Sequence, residues 1–224
     1  MKKYYHVLKD CPLFAGVDKE NLFAMLGCIS TKTQTFDKGQ TIIARGDKPG
    51  KIGIVLEGQV QITRTDFYGN KSIIATIDTG HLFAETFACA QTQEMPVDVV
   101  ATQNSIVLTF DINKILTPCH NLCSFHNTVI FNLLKVTANK NLLLNQKIEV
   151  TSKRTTRDKL MAYLLLVATK ENSNSFCIPF DRQALADYLE VDRTGLSAEI
   201  GKLQKQGYIK CRKNKFVILR ADDV

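Results

Sequence analysis

The 224-residue chain has no apolar run long enough to span a bilayer. Its longest clean run, Met161 to Ala168, falls far short of the roughly 20 residues a membrane helix needs. The N-terminus, MKKYYHVLKDCPLF, has lysines but no continuous apolar stretch behind them, so no secretory leader and no membrane partner are expected. There is no glycine-rich phosphate loop followed by Lys-Ser/Thr, no His-Glu-x-x-His pair and no nucleophile elbow. The chain is therefore not expected to be an enzyme. The seven cysteines are scattered at 11, 28, 89, 119, 123, 177 and 211. An odd, dispersed set without a secretory signal points to reduced thiols in a cytoplasmic protein.

What remains is an ordinary globular composition, 45% hydrophobic and 23% charged, with length for one large or two modest domains. The charge is less ordinary. Formal net charge is +7. After residue 150 there are 14 basic and 9 acidic residues, so five of the seven excess charges sit in the C-terminal third. A basic balance favours polyanionic partners, but alone it does not separate DNA from RNA or an acidic membrane.

The stretch from Phe180 to Leu219 is the most informative. Asp181 is placed to cap a helix over Arg182–Leu189, with Ala184, Leu185 and Leu189 inward. A turn at Glu190-Val191-Asp192 follows. Asp192 caps a second helix, on which Leu196, Ile200 and Leu203 recur at helical spacing, and Gly207 ends it. Tyr208-Ile209-Lys210 and Phe216-Val217-Ile218 then pair around a Lys-Asn turn. This is the pattern of a winged helix-turn-helix, whose second helix enters the DNA major groove. Arg193, Lys202, Lys205, Lys210, Arg212, Lys213 and Lys215 lie on or just after that helix, a charge cluster suited to a phosphate backbone.

Upstream, Asp18 is placed to cap a short helix through Leu22, Phe23 and Leu26. KIGIVLEGQVQITRT alternates with period two around a Glu57-Gly58 turn, and VDVVA and SIVLTF supply further strands. Glycine-punctuated short strands from Thr33 to Phe110 predict a small β-sandwich or roll. A long helical pattern runs from about Asn113 to Val150. Leu122, Val129, Val136, Leu143 and Val150 recur every seven residues, with Phe125, Asn132, Asn139 and Gln146 three residues on. Such a heptad predicts pairing with another helix, and seam amides fix register and partner number. A second row, Ile130, Leu134, Leu144 and Ile148, lies on another face. One row is expected to meet the β domain and the other a symmetry mate; Leu122, Val129, Val136 and Leu143 are taken as the dimer row. Thr155 with Asp158 starts a further helix after a hinge, and a polar loop leads to a strand at CIPF.

Cys119, Cys123 and His126, in PCHNLCSFH, fall on one helical stripe. Three readings stay open: a soft-metal site completed from elsewhere, a redox pair, or buried small residues with a capping histidine.

The order of β-roll, long helix, hinge and winged helix-turn-helix resembles the CRP/FNR family of bacterial transcription regulators. FDKGQTIIARGDKPGKIGIVLEGQVQI is similar to the family's β-roll opening, TGHLFAET to its phosphate-binding cassette, and LADYLEVDRTGLSAEIGKLQKQGYI to its helix-turn-helix. The resemblance implies an α+β architecture: a jelly-roll-like effector domain over 1–118, a dimerisation helix over 119–150 and a DNA-binding domain over 151–224. It further implies a homodimer on a palindromic operator, double-stranded DNA and RNA polymerase as partners, and a small-molecule, metal or redox effector. Arg193, Thr194 and Ser197 are then the base-contacting face, with Arg182, Gln183, Lys202, Lys213 and Lys215 on phosphates. The effector pocket would involve Ala84, Glu85, Thr86, Met95 and Pro96. Met95-Pro96 stands where cyclic-nucleotide binders carry an Arg-Ser pair. A thioether balances no phosphate charge and proline donates no N–H, which argues against cyclic AMP. A lone Cys11 in the N-terminal region argues against an iron–sulfur cluster there. The competing expectation is a sensor module whose winged helix binds protein instead of DNA.

Overall fold

The computed structural model describes residues 1–65, 67–68, 71–117 and 124–220. It divides into two compact units, Met1–Asn139 and Lys140–Val224, and the division falls within the long helix.

In the first unit, helices α1 (Tyr5–Asp10) and α2 (Lys19–Cys28) precede strands β1 (Lys32–Phe36), β2 (Thr41–Ile43), β3 (Lys51–Glu57), β4 (Gln59–Thr65), β5 (Lys71–Asp78) and β6 (Leu82–Phe83). Helix α3 (Glu85–Ala90), strands β7 (Asp98–Ala101) and β8 (Ser105–Asp111), helix α4 (Ile112–Leu116) and the start of α5 (Ser124–Thr151) follow. The strands form two antiparallel four-stranded sheets, ordered β1-β8-β3-β6 and β2-β7-β4-β5. Asp18 caps α2 as expected, accepting from the Asn21 N–H at 3.0 Å.

Strand β3 shows how the roll is held. Ile52, Ile54 and Leu56 face one core, shared with Leu8, Leu22 and Met25 of the N-terminal helices and with Val129 and Leu133 of α5. Val55 faces the other, with Val60, Phe83, Val99 and Val107 between the sheets. Each such side chain contributes roughly 1.5–3 kcal/mol when fully buried. Gly53 is required by this packing, because a Cβ there would overlap the Phe83 ring. Gly58, at φ +85, makes the tight β3–β4 turn against Asn104 and Ser105.

The heptad row of α5 divides differently from the expectation. Val129 is fully buried in the first unit's own core, and Val150 is buried in the second unit's. Val136 is half-buried and Leu143 exposed, while Leu122 lies outside the described residues. Val129 is thus a core residue and not a seam residue. Asn132 is likewise no seam amide. It is buried, and its Nδ2 donates to the Leu13 carbonyl at 3.0 Å and the Ala15 carbonyl at 2.8 Å. The exposed apolar positions of α5 include Phe131, Leu142 and Leu143 as well as Leu134, Leu144 and Ile148, the last three each a little over 60% accessible. Of these, Leu134, Leu144 and Ile148 share one face. With half-buried Ile130 and Thr137, and exposed Asn141, they recur at alternating steps of four and three. That spacing is the a/d pattern of a paired helix.

The second unit comprises the end of α5, α6 (Thr156–Glu171), β9 (Ser175–Cys177), α7 (Arg182–Leu189), α8 (Arg193–Lys205), β10 (Ile209–Arg212) and β11 (Lys215–Ile218). Its three-stranded sheet is ordered β10-β11-β9. Strand β9 lies two residues upstream of the expected CIPF, because Ser175, Phe176 and Cys177 are the residues in register with β11. Pro179 cannot donate to a ladder and falls beyond it. Leu160, Leu164, Leu185, Leu189, Leu196, Leu203 and Phe216 form the core. The expected caps are all present: Thr155 accepts from Asp158, Asp181 from Ala184, and Asp192 from Gly195, at 3.1, 2.8 and 2.8 Å.

Candidate nucleic-acid interface

Helices α7 and α8 are joined by the turn Glu190-Val191-Asp192, with Glu190 in the left-handed region at φ 55. Leu196, Ile200 and Leu203 anchor α8 from below. Arg193, Thr194 and Ser197 are exposed at its N-terminal end, where a helix in the major groove meets base edges. Gly195, Ala198 and Gly201 add almost no side-chain bulk to this helix. The wing follows, with Lys210, Arg212, Lys213 and Lys215 exposed and Lys213 at its turn.

The residues expected on phosphates differ in their freedom to reach one. Lys213 and Lys215 are exposed. Gln183 donates to Asp187 Oδ1 at 2.8 Å on the exposed face of α7. Lys202 pairs with Glu199 at 3.3 Å. Arg182 is more constrained. Its Nη2 donates to Cys211 Sγ at 3.2 Å and to the Lys213 carbonyl at 3.3 Å, and the guanidinium lies 5.7 Å from the Phe216 ring centre. This arginine fastens the wing to the start of α7. Its contacts come from residues about 30 positions away, which local spacing did not reveal.

The effector-pocket residues do not form one polar cluster. Ala84 caps α3 from the left-handed region at φ 62. Glu85 is buried in the first turn, with Oε1 accepting from the Thr86 hydroxyl at 3.2 Å. Burial, with the Glu85 charge adding to it, raises the Cys89 thiol pKa one turn on. Met95 is buried among Phe83, Val97 and Val99, whereas Pro96 is exposed. Met95 also lines a cleft of about 210 Å³ with Ile42, Ile43 and Lys51. Cys119 and Cys123 lie outside the described residues. His126 is buried, stacked on Phe125, with Nε2 3.4 Å from the Lys114 carbonyl. Among the described residues no three His, Cys, Asp or Glu side chains are grouped to hold a metal.

A β-roll followed by a winged helix-turn-helix with a basic wing defines a class, that of DNA-binding transcription regulators. Comparison gives the family. Residues 33–120 match the cyclic nucleotide-binding domain model and residues 158–223 the Crp-like helix-turn-helix domain model. The chain belongs to the CRP/FNR family of transcription regulators. It is 24% identical to the transcriptional activator protein FnrL of Cereibacter sphaeroides, over 96% of this chain and 88% of that one. Its fold is similar to the Thermus thermophilus catabolite activator protein, with TM-score 0.50 at 22% identity, covering 92% and 93% of the two chains. It is also similar to the c-di-GMP responsive global regulator CLP of Xanthomonas campestris, with TM-score 0.57 at 13% identity, covering 91% and 100%.

Proposed function

We propose that this regulator acts as a homodimer on a two-fold symmetric DNA site, with an effector in the β-roll biasing its DNA affinity. The observation that carries this reading is the apolar row Ile130, Leu134, Leu144 and Ile148. Leu134, Leu144 and Ile148 are each more than 60% exposed within one chain. Burying three such side chains against a second α5 is worth several kcal/mol. A symmetric dimer would present two copies of α8 to two half-sites. Leu144→Glu is expected to give a monomer that no longer binds operator DNA, because a carboxylate in that seam costs several kcal/mol. Val129→Glu should instead unfold the first unit. Size-exclusion chromatography with melting of both variants is the test; a dimer for Leu144→Glu contradicts the seam.

Other parts of the reading rest on the same domains. Family membership supports cytoplasmic location and contact with RNA polymerase. Among the described residues no helix is long and apolar enough to cross a membrane. The regulator is not an enzyme in this reading. The effector is a small molecule, metal or oxidant other than cyclic AMP, since Met95 is buried in the apolar roll and offers no cation to a cyclic phosphate. Calorimetry should find no saturable cyclic AMP site at micromolar ligand; a micromolar isotherm refutes this.

A further inference from the structure

Both helices of the helix-turn-helix are gripped at their C-terminal ends from one place, the first turn of α6. Lys159 Nζ donates to the Leu189 carbonyl at 3.2 Å and the Glu190 carbonyl at 3.4 Å. These are the last residue of α7 and its cap. Arg157 Nη1 donates to Gln206 Oε1 at 3.0 Å, and its guanidinium sits 4.6 Å from the Tyr208 ring centre. Gln206 caps α8, and Tyr208 enters the wing. Helix C-termini present unsatisfied carbonyls and a partial negative charge, so cations are favoured there. Glu190 is also approached by Lys147 of α5, 3.9 Å from its carboxylate. Neither Arg157 nor Lys159 is on the exposed face of α8 or on the wing.

We infer that Arg157 and Lys159 are positioning residues for DNA reading: they set the angle of α8 and touch no phosphate themselves. The inference rests on the DNA-reading function proposed above. The left-handed cap at Glu190 bonds its N–H back to Asp187, and Lys159 adds a cationic donor to the Leu189 and Glu190 carbonyls where α7 gives way to the turn. Arg157 fixes the far end of α8. A recognition helix released at both ends keeps its charge but loses its register on base edges, so specificity suffers before general affinity does.

The test measures binding of the full-length protein to a selected operator and to random-sequence duplex, across a salt series. For Lys159→Met and Arg157→Met, operator affinity should fall about tenfold each. Random-duplex affinity and both salt slopes should stay at wild-type values. Lys159→Arg should restore operator affinity, because it keeps a donor to the two carbonyls. Circular dichroism melting guards against simple unfolding. A salt slope lowered by about one unit makes Lys159 a phosphate contact and overturns the inference. Equal losses on operator and random duplex, or no rescue by arginine, overturn it as well. Wild-type protein that prefers no sequence at all fails the DNA-reading function itself, whatever the variants do.

Discussion

At the scale of single residues, a few side chains decide what the local sequence left open. Cys11 is one. Burial pushes its thiol up to about 11. In the unfolded chain a thiol ionises near 8.5. The folded value is the higher, so Cys11 stabilises the fold below about pH 8.5 and that contribution is lost as pH rises toward 11, about 3 kcal/mol in all. Tyr163, raised to about 12 mainly by burial, adds the same sign at still higher pH. Urea midpoints at about pH 8 and about pH 10.5 check this. Wild type should lose more stability between the two than Cys11→Ala does; identical slopes would mean Cys11 titrates normally. Glu190 and Ala84 are residues of another kind. Both hold left-handed backbone without being glycine; at Ala84 that is why neither the cap of α3 nor its six-residue helix was legible from sequence.

At the scale of elements, the helix-turn-helix was legible almost to the residue. Its signals are local: Asp181 and Asp192 as caps, Leu196-Ile200-Leu203 spacing, and Gly207 at φ 77. The paired strands of the roll were legible for the same reason, through alternation around Gly58. The long helix was not. Two apolar rows of similar quality run along it, and nothing local says which faces the chain's own core. That choice is made by residues more than 110 positions away, where Leu13 and Ala15 offer carbonyls to Asn132. Asn132→Leu would remove both donors and strand two carbonyls, costing about 2–4 kcal/mol in the first unit. Chemical denaturation should show that loss with the dimer still formed at low denaturant. A variant that changes oligomeric state at unchanged stability would return Asn132 to the seam.

At the scale of the whole molecule, the basic excess lies in the C-terminal third, with the helix-turn-helix, and the remainder is nearly neutral. In the proposed function the charge supplies attraction to any duplex, and α8 supplies the choice among duplexes. Arg193, exposed at the start of α8, is the one side chain there able to form the bidentate pair with guanine, worth roughly 1–3 kcal/mol of discrimination. Thr194, Ser197 and Ala198 offer weaker contacts. The most direct measurement is selection of bound duplexes from a random pool, repeated with Arg193→Ala and with Lys213→Ala. Wild type should enrich an inverted repeat with one strong guanine per half-site. Arg193→Ala should flatten preference at that base pair alone, and Lys213→Ala should weaken every sequence alike while lowering the salt slope by about one unit. No enriched site from wild type, or an unchanged site with Arg193→Ala, would contradict the account.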